Sequence, residues 1–261
     1  VHTCFMKTTL ISDYYFKEEK IKLIHHGVDA PNPKIEEDKA KISLGLAGKK
    51  VVLFFGFIIP GKGLECLIKT FSMLLEEAPN ATLMIVGEYH PHLFKENPSY
   101  IGTIERLVNK KKLEEKVVFE NRFVSNEELH TYISAADVII FPYIDESIAG
   151  ASGALATCAL FGKPVIATDI PRFIDEMKNR VNGILVKPND EKQLGNAMKT
   201  LIRDEGLRRK LGRNLHTMFL KRRWNKVSLM TLQIYRMALR FGKEVGGRSG
   251  EKDRFKLAYD I

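Results

Sequence analysis

Cysteine is scarce in this 261-residue chain, and its three copies, Cys4, Cys66 and Cys158, lie far apart. An odd number at that spacing excludes a disulfide framework and fits reduced thiols in the cytosol. No His/Asp/Glu cluster has metal-ligand spacing, so no metal is expected. Long apolar runs are missing as well; none would span a bilayer. Val51 to Phe55 reads as a strand, yet no G-x-G-x-x-G fingerprint follows it, which argues against a dinucleotide site. The chain opens on Val1 rather than Met, so its true amino terminus is expected upstream.

What is present is an ordinary globular composition, with 44% hydrophobic and 28% charged residues, in a chain long enough for one large or two modest domains. Lys and Arg (41) exceed Asp and Glu (32), a net charge of +9. Such an excess suits an anionic ligand, nucleic acid or an anionic membrane surface, without choosing among them. It lies largely after Arg203, in Arg208-Arg209-Lys210, Lys221-Arg222-Arg223 and the stretch from Arg240 to Lys256. Most of these charges read as solvated helix faces.

Periodicity places a helix over Thr8 to Phe16 and a strand over Lys20 to Ile24. Ala30 to Pro33 and the charged run to Lys41 form a proline-punctuated connector. From Lys50 a strand–helix alternation sets in. Strands are expected at Val51–Phe55, Thr82–Val86, Val117–Phe119, Val138–Phe141, Val165–Ala167 and Ile184–Val186. Between them lie helices, among them one from Gly63 to Ala78 with an apolar face and one opened by Ser125 and Glu128 as a capping box. Amphipathic helices at Asp190–Arg203, Glu205–Arg213 and Lys221–Arg240 close the chain, and residues 243–261 look frayed. The expected fold is α/β, a Rossmann-like doubly wound parallel sheet of six strands. Ligands of such sheets sit at the carboxyl ends of the strands, so the loops after Phe55, Val86, Phe119 and Phe141 are candidate walls of one cleft.

Two stretches stand out there. Gly56 to Gly63 nearly matches a phosphate-binding P-loop, but Gly63 stands where Ser or Thr should hold Mg²⁺, and Pro60 removes an N–H donor. The second runs from Phe141 to Asp169. Ser152, Gly153 and Ala154 open a helix of small residues that Gly162-Lys163-Pro164 stops. Helix-start amides hold phosphate well; alternatively, the small residues only let the helix lie close to the sheet.

Taken in order, Gly56…Lys62-Gly63, Ile85-Val86-Gly87, Val118-Phe119…Phe123-Val124-Ser125, Ala135-Ala136-Asp137-Val138, Phe141-Pro142 and Gly162-Lys163-Pro164-Val165-Ile166-Ala167-Thr168-Asp169 resemble the nucleotide-sugar-binding half of GT-B glycosyltransferases. The closest group is the retaining glycosyltransferase family 4, also called group 1. Ile24 to Asp29 resembles that family's junction between its two halves, and the likeness covers roughly residues 20 to 240.

The resemblance implies a division into residues 1–29 as remnant of an acceptor domain, 30–48 as linker, 49–203 as donor domain, 204–240 as bracing helices and 241–261 as a flexible basic tail. It implies sugar transfer from a nucleoside-diphosphate sugar to a carbohydrate, lipid or small-molecule acceptor, with no further cofactor. It also implies a cytoplasmic protein with peripheral contact to the inner membrane face, no nucleic-acid partner, and a fragment inactive alone. Lys62 is the implied catalytic residue, pairing with the donor diphosphate. Gly56, Gly87, Arg122, Phe123, Tyr143, Ser152, Gly153, Ala154, Leu155 and Thr157 are the implied donor-binding positions. His25 and His26 read as structural.

The chain departs from the family pattern at several points. Phe57 stands where many members carry arginine, and Glu88 follows Gly87 where a glycine is usual. Ala149 and Thr157 occupy the positions of two glutamates that touch donor sugar and ribose, although Ser152-Gly153 fits a subset lacking them. Asp145 or Glu146 is a candidate displaced carboxylate. Two alternatives follow: a non-catalytic module that keeps nucleotide-sugar binding, and a P-loop-like NTPase.

Overall fold

A computed structural model describes residues 1–29, 35–89, 99–144 and 150–246. Asp145, Glu146, Ala149, the connector at 30–34 and the tail from 247 onward lie outside the described residues. Six strands, β1 (Lys50–Phe55), β2 (Ala81–Val86), β3 (Val117–Glu120), β4 (Val138–Phe141), β5 (Val165–Thr168) and β6 (Ile184–Val186), form one sheet. All neighbours pair in parallel, in the order β3-β2-β1-β4-β5-β6. Every residue of β2, β4 and β5 is buried, as expected of strands covered on both faces.

The helices are α1 (Cys4–Ser12), α2 (Glu37–Ser43), α3 (Leu64–Leu74), α4 (Tyr100–Lys110), α5 (Asn126–Ala135), α6 (Gly153–Ala159), α7 (Pro171–Ile174), α8 (Glu191–Arg203), α9 (Glu205–Leu220) and α10 (Trp224–Gly246). The apolar face expected on α3 is buried at Leu64, Leu67, Ile68, Phe71 and Leu74, against α8 among others. Ser125 and Glu128 form the expected capping box. Asp190 and Asp204 cap α8 and α9 by accepting from Gln193 and Leu207 amides, each at 2.8 Å.

Several elements differ from the sequence reading. Lys20 closes a single 3-10 turn, Glu18–Lys20, and Ile21 to Ile24 pairs with no strand among the described residues; its polar backbone meets the amino terminus instead, through Val1 N to Lys22 O at 3.0 Å and His2 Nδ1 to Ile24 O at 2.8 Å. Thr3 accepts from the Met6 amide, so α1 begins at Cys4 rather than Thr8. Glu37–Ser43, inside the stretch read as connector, is helical and packs on α5. Leu211, Leu215 and Phe219 keep one buried stripe going, which carries α9 past Arg213 to Leu220. The final helix runs through 243–246.

Two arginines of the basic excess point inward rather than to solvent. Arg208 is 8% exposed and donates Nη1 to the Leu201 and Ile202 carbonyls at 2.6 and 2.8 Å, capping the end of α8. Arg222 pairs with buried Glu176. At the amino edge of the sheet, buried Asp137 accepts from Lys41 Nζ at 2.7 Å and the Val51 amide at 2.8 Å. Lys50 lies 3.5 Å and Arg208 3.8 Å from its other oxygen. Burial works against the Lys41 charge, but bonds to Asp137 and Glu37 outweigh it and raise its pKa.

Asp137 therefore ties α2, β1, β4 and α9 together at one carboxylate. Asp137→Ala leaves the Lys41 ammonium and the Val51 amide without their buried acceptor. Its expected cost is about 3–5 kcal/mol in urea unfolding; a loss within experimental error would show that the tie contributes nothing.

Candidate functional site

The strand order reverses at β1. The chain runs from β1 outward to β2 and β3, then returns to place β4 on the other side of β1. Crossovers leaving in opposite directions open a crevice above the carboxyl ends of β1 and β4, the place where such sheets bind ligands.

Backbone contacts zip the loops at this edge together. Gly56 donates its amide to Val86 O at 3.0 Å, Gly87 to Glu120 O at 3.0 Å and Ile58 to Glu88 O at 2.9 Å. Tyr89 donates its amide to Asn121 Oδ1 at 3.2 Å. Gly87 (φ 146°) lies so close to the Gly56 carbonyl that a Cβ would overlap it. Across the crevice the Ile144 amide donates to Gly61 O at 2.8 Å. Gly63, at φ 72°, faces the Pro142 carbonyl with no space for a Cβ. The loop after β1 thus rests on the loop after β4, backbone to backbone.

That contact sets Lys62. Its ammonium lies 3.6 Å from the centroid of the Tyr143 ring, a cation–π arrangement. Tyr143 is 4% exposed and packs on Phe141 and Phe173, with ring centroids 5.8 and 5.2 Å away. Burial pushes its phenol well above the ordinary range, while the charge of Arg172 pulls the other way. Tyr143 is thus a floor beneath Lys62 rather than an exposed surface.

The loop after β4 leads into α6. Buried Ser152 caps this helix, accepting from the Leu155 amide at 3.2 Å. Among the described residues the Gly153 and Ala154 amides have no protein acceptor, and Gly153 is exposed with open space about it. Leu155 is fully buried, so its side chain belongs to the core and not to a ligand surface. Thr157 turns its hydroxyl to the Gly153 carbonyl at 2.9 Å.

Arg122 and Phe123 sit at the far side, after β3. Arg122 bonds Glu128 at 2.8 Å and Glu120 at 3.3 Å, so its guanidinium is engaged within the protein. The Arg122 bond, followed by the Ser125 amide, holds the Glu128 carboxyl down at about 2. Its support of the start of α5 is present above the ordinary 4.5 and is lost as pH falls toward 2. Phe123 is 76% exposed, an open aromatic face in the loop after β3.

Two participants escaped sequence reasoning. Gly63 entered it only as a missing hydroxyl, whereas its lack of a side chain admits the Pro142 contact. Arg172, on α7 just past the carboxyl end of β5, reaches 3.5 Å from Ala151 O. Its position directly after a strand was the available signal. Far from all of this, a cavity of about 840 Å³ opens at the amino edge, lined by Lys50, Asp137, Lys163 and Arg208 among others. It lies at the wrong end of the strands to belong to the cleft. His25, 3.9 Å from Glu176, has its pKa lowered by burial and then by Arg222; His26 packs at a tilt against Trp224 with ring centroids 5.5 Å apart.

Comparison with known proteins agrees with this architecture. Residues 36–218 match the family described as Glycosyl transferases group 1. An uncharacterized glycosyltransferase of Methanocaldococcus jannaschii is 26% identical over 242 residues, 90% of this chain and 58% of its own length. The capsular polysaccharide biosynthesis glycosyltransferase CapM of Staphylococcus aureus is 25% identical over 220 residues, 80% of this chain and 53% of its own. The crystal structure of Anabaena Alr3699/HepE in complex with UDP and glucose shares the fold at a TM-score of 0.76, with 22% identity, over 92% of this chain and 62% of that one. The chain thus spans about half to three-fifths of these proteins. No helix among the described residues is long and apolar enough to cross a membrane.

The loop contact yields a test. Gly63→Ala forces a side chain into the Pro142 carbonyl and is expected to cost about 1–3 kcal/mol in urea unfolding. Gly153→Ala, which meets open space at a helix start, is expected to change stability by less than about 0.5 kcal/mol. Equal effects at the two sites would mean that the loop contact is not a constraint.

Proposed function

Because the chain belongs to the Glycosyl transferases group 1 family, we propose that it is the donor-binding half of a retaining glycosyltransferase. It binds a nucleoside-diphosphate sugar, and the sugar passes to a carbohydrate, lipid or small-molecule acceptor held by the remainder of a longer protein. The observation that carries this reading is the position of Lys62: in the loop at the switch point of the sheet, held above Tyr143. The UDP and glucose in the complex of the Anabaena protein support the same ligand class here.

The chemistry follows from charge. As the bond between the anomeric carbon and the β-phosphate oxygen breaks, negative charge grows on the departing nucleoside diphosphate. A lysine cation held in place beforehand stabilises that charge without reorganising. The Gly153 and Ala154 amides add donors from the other side. Phe123 offers its ring to the base. Retention places the new bond on the face the diphosphate leaves, so the departing phosphate lies beside the incoming acceptor.

Dependence on a second half agrees with the exposed apolar side chains of α10, where Leu229, Tyr235 and Leu239 are 61%, 64% and 68% exposed. A non-catalytic binding module is the second reading, and Thr157, whose short side chain is turned back to its own helix, favours it. Turnover of a nucleotide sugar by the full-length protein would exclude it. The NTPase alternative loses ground at Gly63, where the Pro142 carbonyl leaves no room for a hydroxyl side chain to hold Mg²⁺.

Thermal-shift screening against UDP, GDP and ADP is expected to find a stabilising nucleoside diphosphate. Lys62→Ala should then weaken its binding about tenfold or more in calorimetry, roughly 1.4 kcal/mol. Unchanged affinity in the variant would refute the role of Lys62.

A further inference from the structure

Three adjacent strands, β1, β4 and β5, present Lys62, Tyr143 and Arg172 just beyond their carboxyl ends. Lys62 comes from the β1 side and lies over the Tyr143 ring. Arg172 comes from the β5 side, half-buried, with Nη1 3.5 Å from the Ala151 carbonyl, one residue before the Ser152 cap of α6. Phe173, its neighbour on α7, packs directly on Tyr143 with centroids 5.2 Å apart and holds this arrangement in place. We infer that Arg172 is a second phosphate-binding cation of the cleft, engaging the donor diphosphate from the β5 side while Lys62 engages it from the β1 side.

The inference rests on the donor-binding reading above and deepens it. A diphosphate bridge carries two negative charges, and one lysine offsets only one. The guanidinium fork matches phosphate oxygens in pairs, where an ammonium acts as a point charge. Partial burial weakens screening, so a charge at this position counts for more than one on an open loop. No such cation comes from the first loop next to Gly56, where Phe57 stands half exposed.

The competing account is that Arg172 only steadies the loop before α6. Calorimetry on the chain separates the two, using UDP with uridine, and GDP with guanosine, as probes. Arg172→Gln is expected to weaken diphosphate binding about tenfold and nucleoside binding by less than about twofold, with Arg172→Lys recovering part of the loss. A steeper salt dependence of diphosphate binding in the wild type than in Arg172→Gln is expected as well. Diphosphate affinity within about twofold of the wild type, or an equal loss for nucleoside and diphosphate, overturns the inference. If Lys62→Ala loses diphosphate affinity and Arg172→Gln does not, only the assignment of Arg172 falls. If the wild type binds neither diphosphate, the donor-binding reading falls with it.

Discussion

The cleft depends on a place where two stretches of backbone touch with nothing between them. Gly63 lies against the Pro142 carbonyl, and the Gly61 carbonyl accepts the Ile144 amide at 2.8 Å. These contacts join the loops that leave β1 and β4, the two strands between which the sheet reverses its order. A doubly wound sheet opens a crevice there because its crossovers diverge. Here the joined loops bring a lysine and a buried tyrosine ring together beyond the carboxyl ends of those strands.

Charge is divided between the two edges of the sheet. At the amino edge, cations from α2, β1 and α9 converge on a buried carboxylate, Asp137. An ion network of this kind joins elements of the fold. At the carboxyl edge, Lys62 and Arg172 flank the loop after β4, next to the unmatched amides that open α6. A chain with a net charge of +9 therefore carries its basic residues in two different roles. Arg208 and Arg222 serve the fold, capping carbonyls and neutralising buried acids, while the cleft cations face the side where ligands of such sheets bind.

Small residues at the start of α6 were open to two accounts, and the close packing of the helix on the sheet is seen directly. Ala156, Cys158 and Ala159 are buried and let the helix lie close to the sheet. Ser152 meanwhile takes up the Leu155 amide, while those of Gly153 and Ala154 have no protein acceptor among the described residues. Close packing and the presentation of donors are consequences of the same short side chains.

Strand positions, the α/β class and the capping box at Ser125 were legible in the chain itself, because burial on two faces and helix capping act over a few neighbouring residues. So was the series of loops at the carboxyl edge, which follows once the strands run parallel. Local patterns also misled: Lys20 to Ile24 alternates like a strand but finds no strand to pair with among the described residues, and Arg208 looks like surface charge until α8 ends beside it. The seat of Lys62 over Tyr143, the approach of Arg172 to Ala151 and the inward turn of Leu155 depend on residues about 20 to 80 positions apart meeting in space, or on which face of a helix meets the sheet. Sequence by itself determined which segments become strands and helices, since that depends on near neighbours; only the tertiary structure decided which side chains share the cleft, because strand order brings together loops that the chain keeps apart.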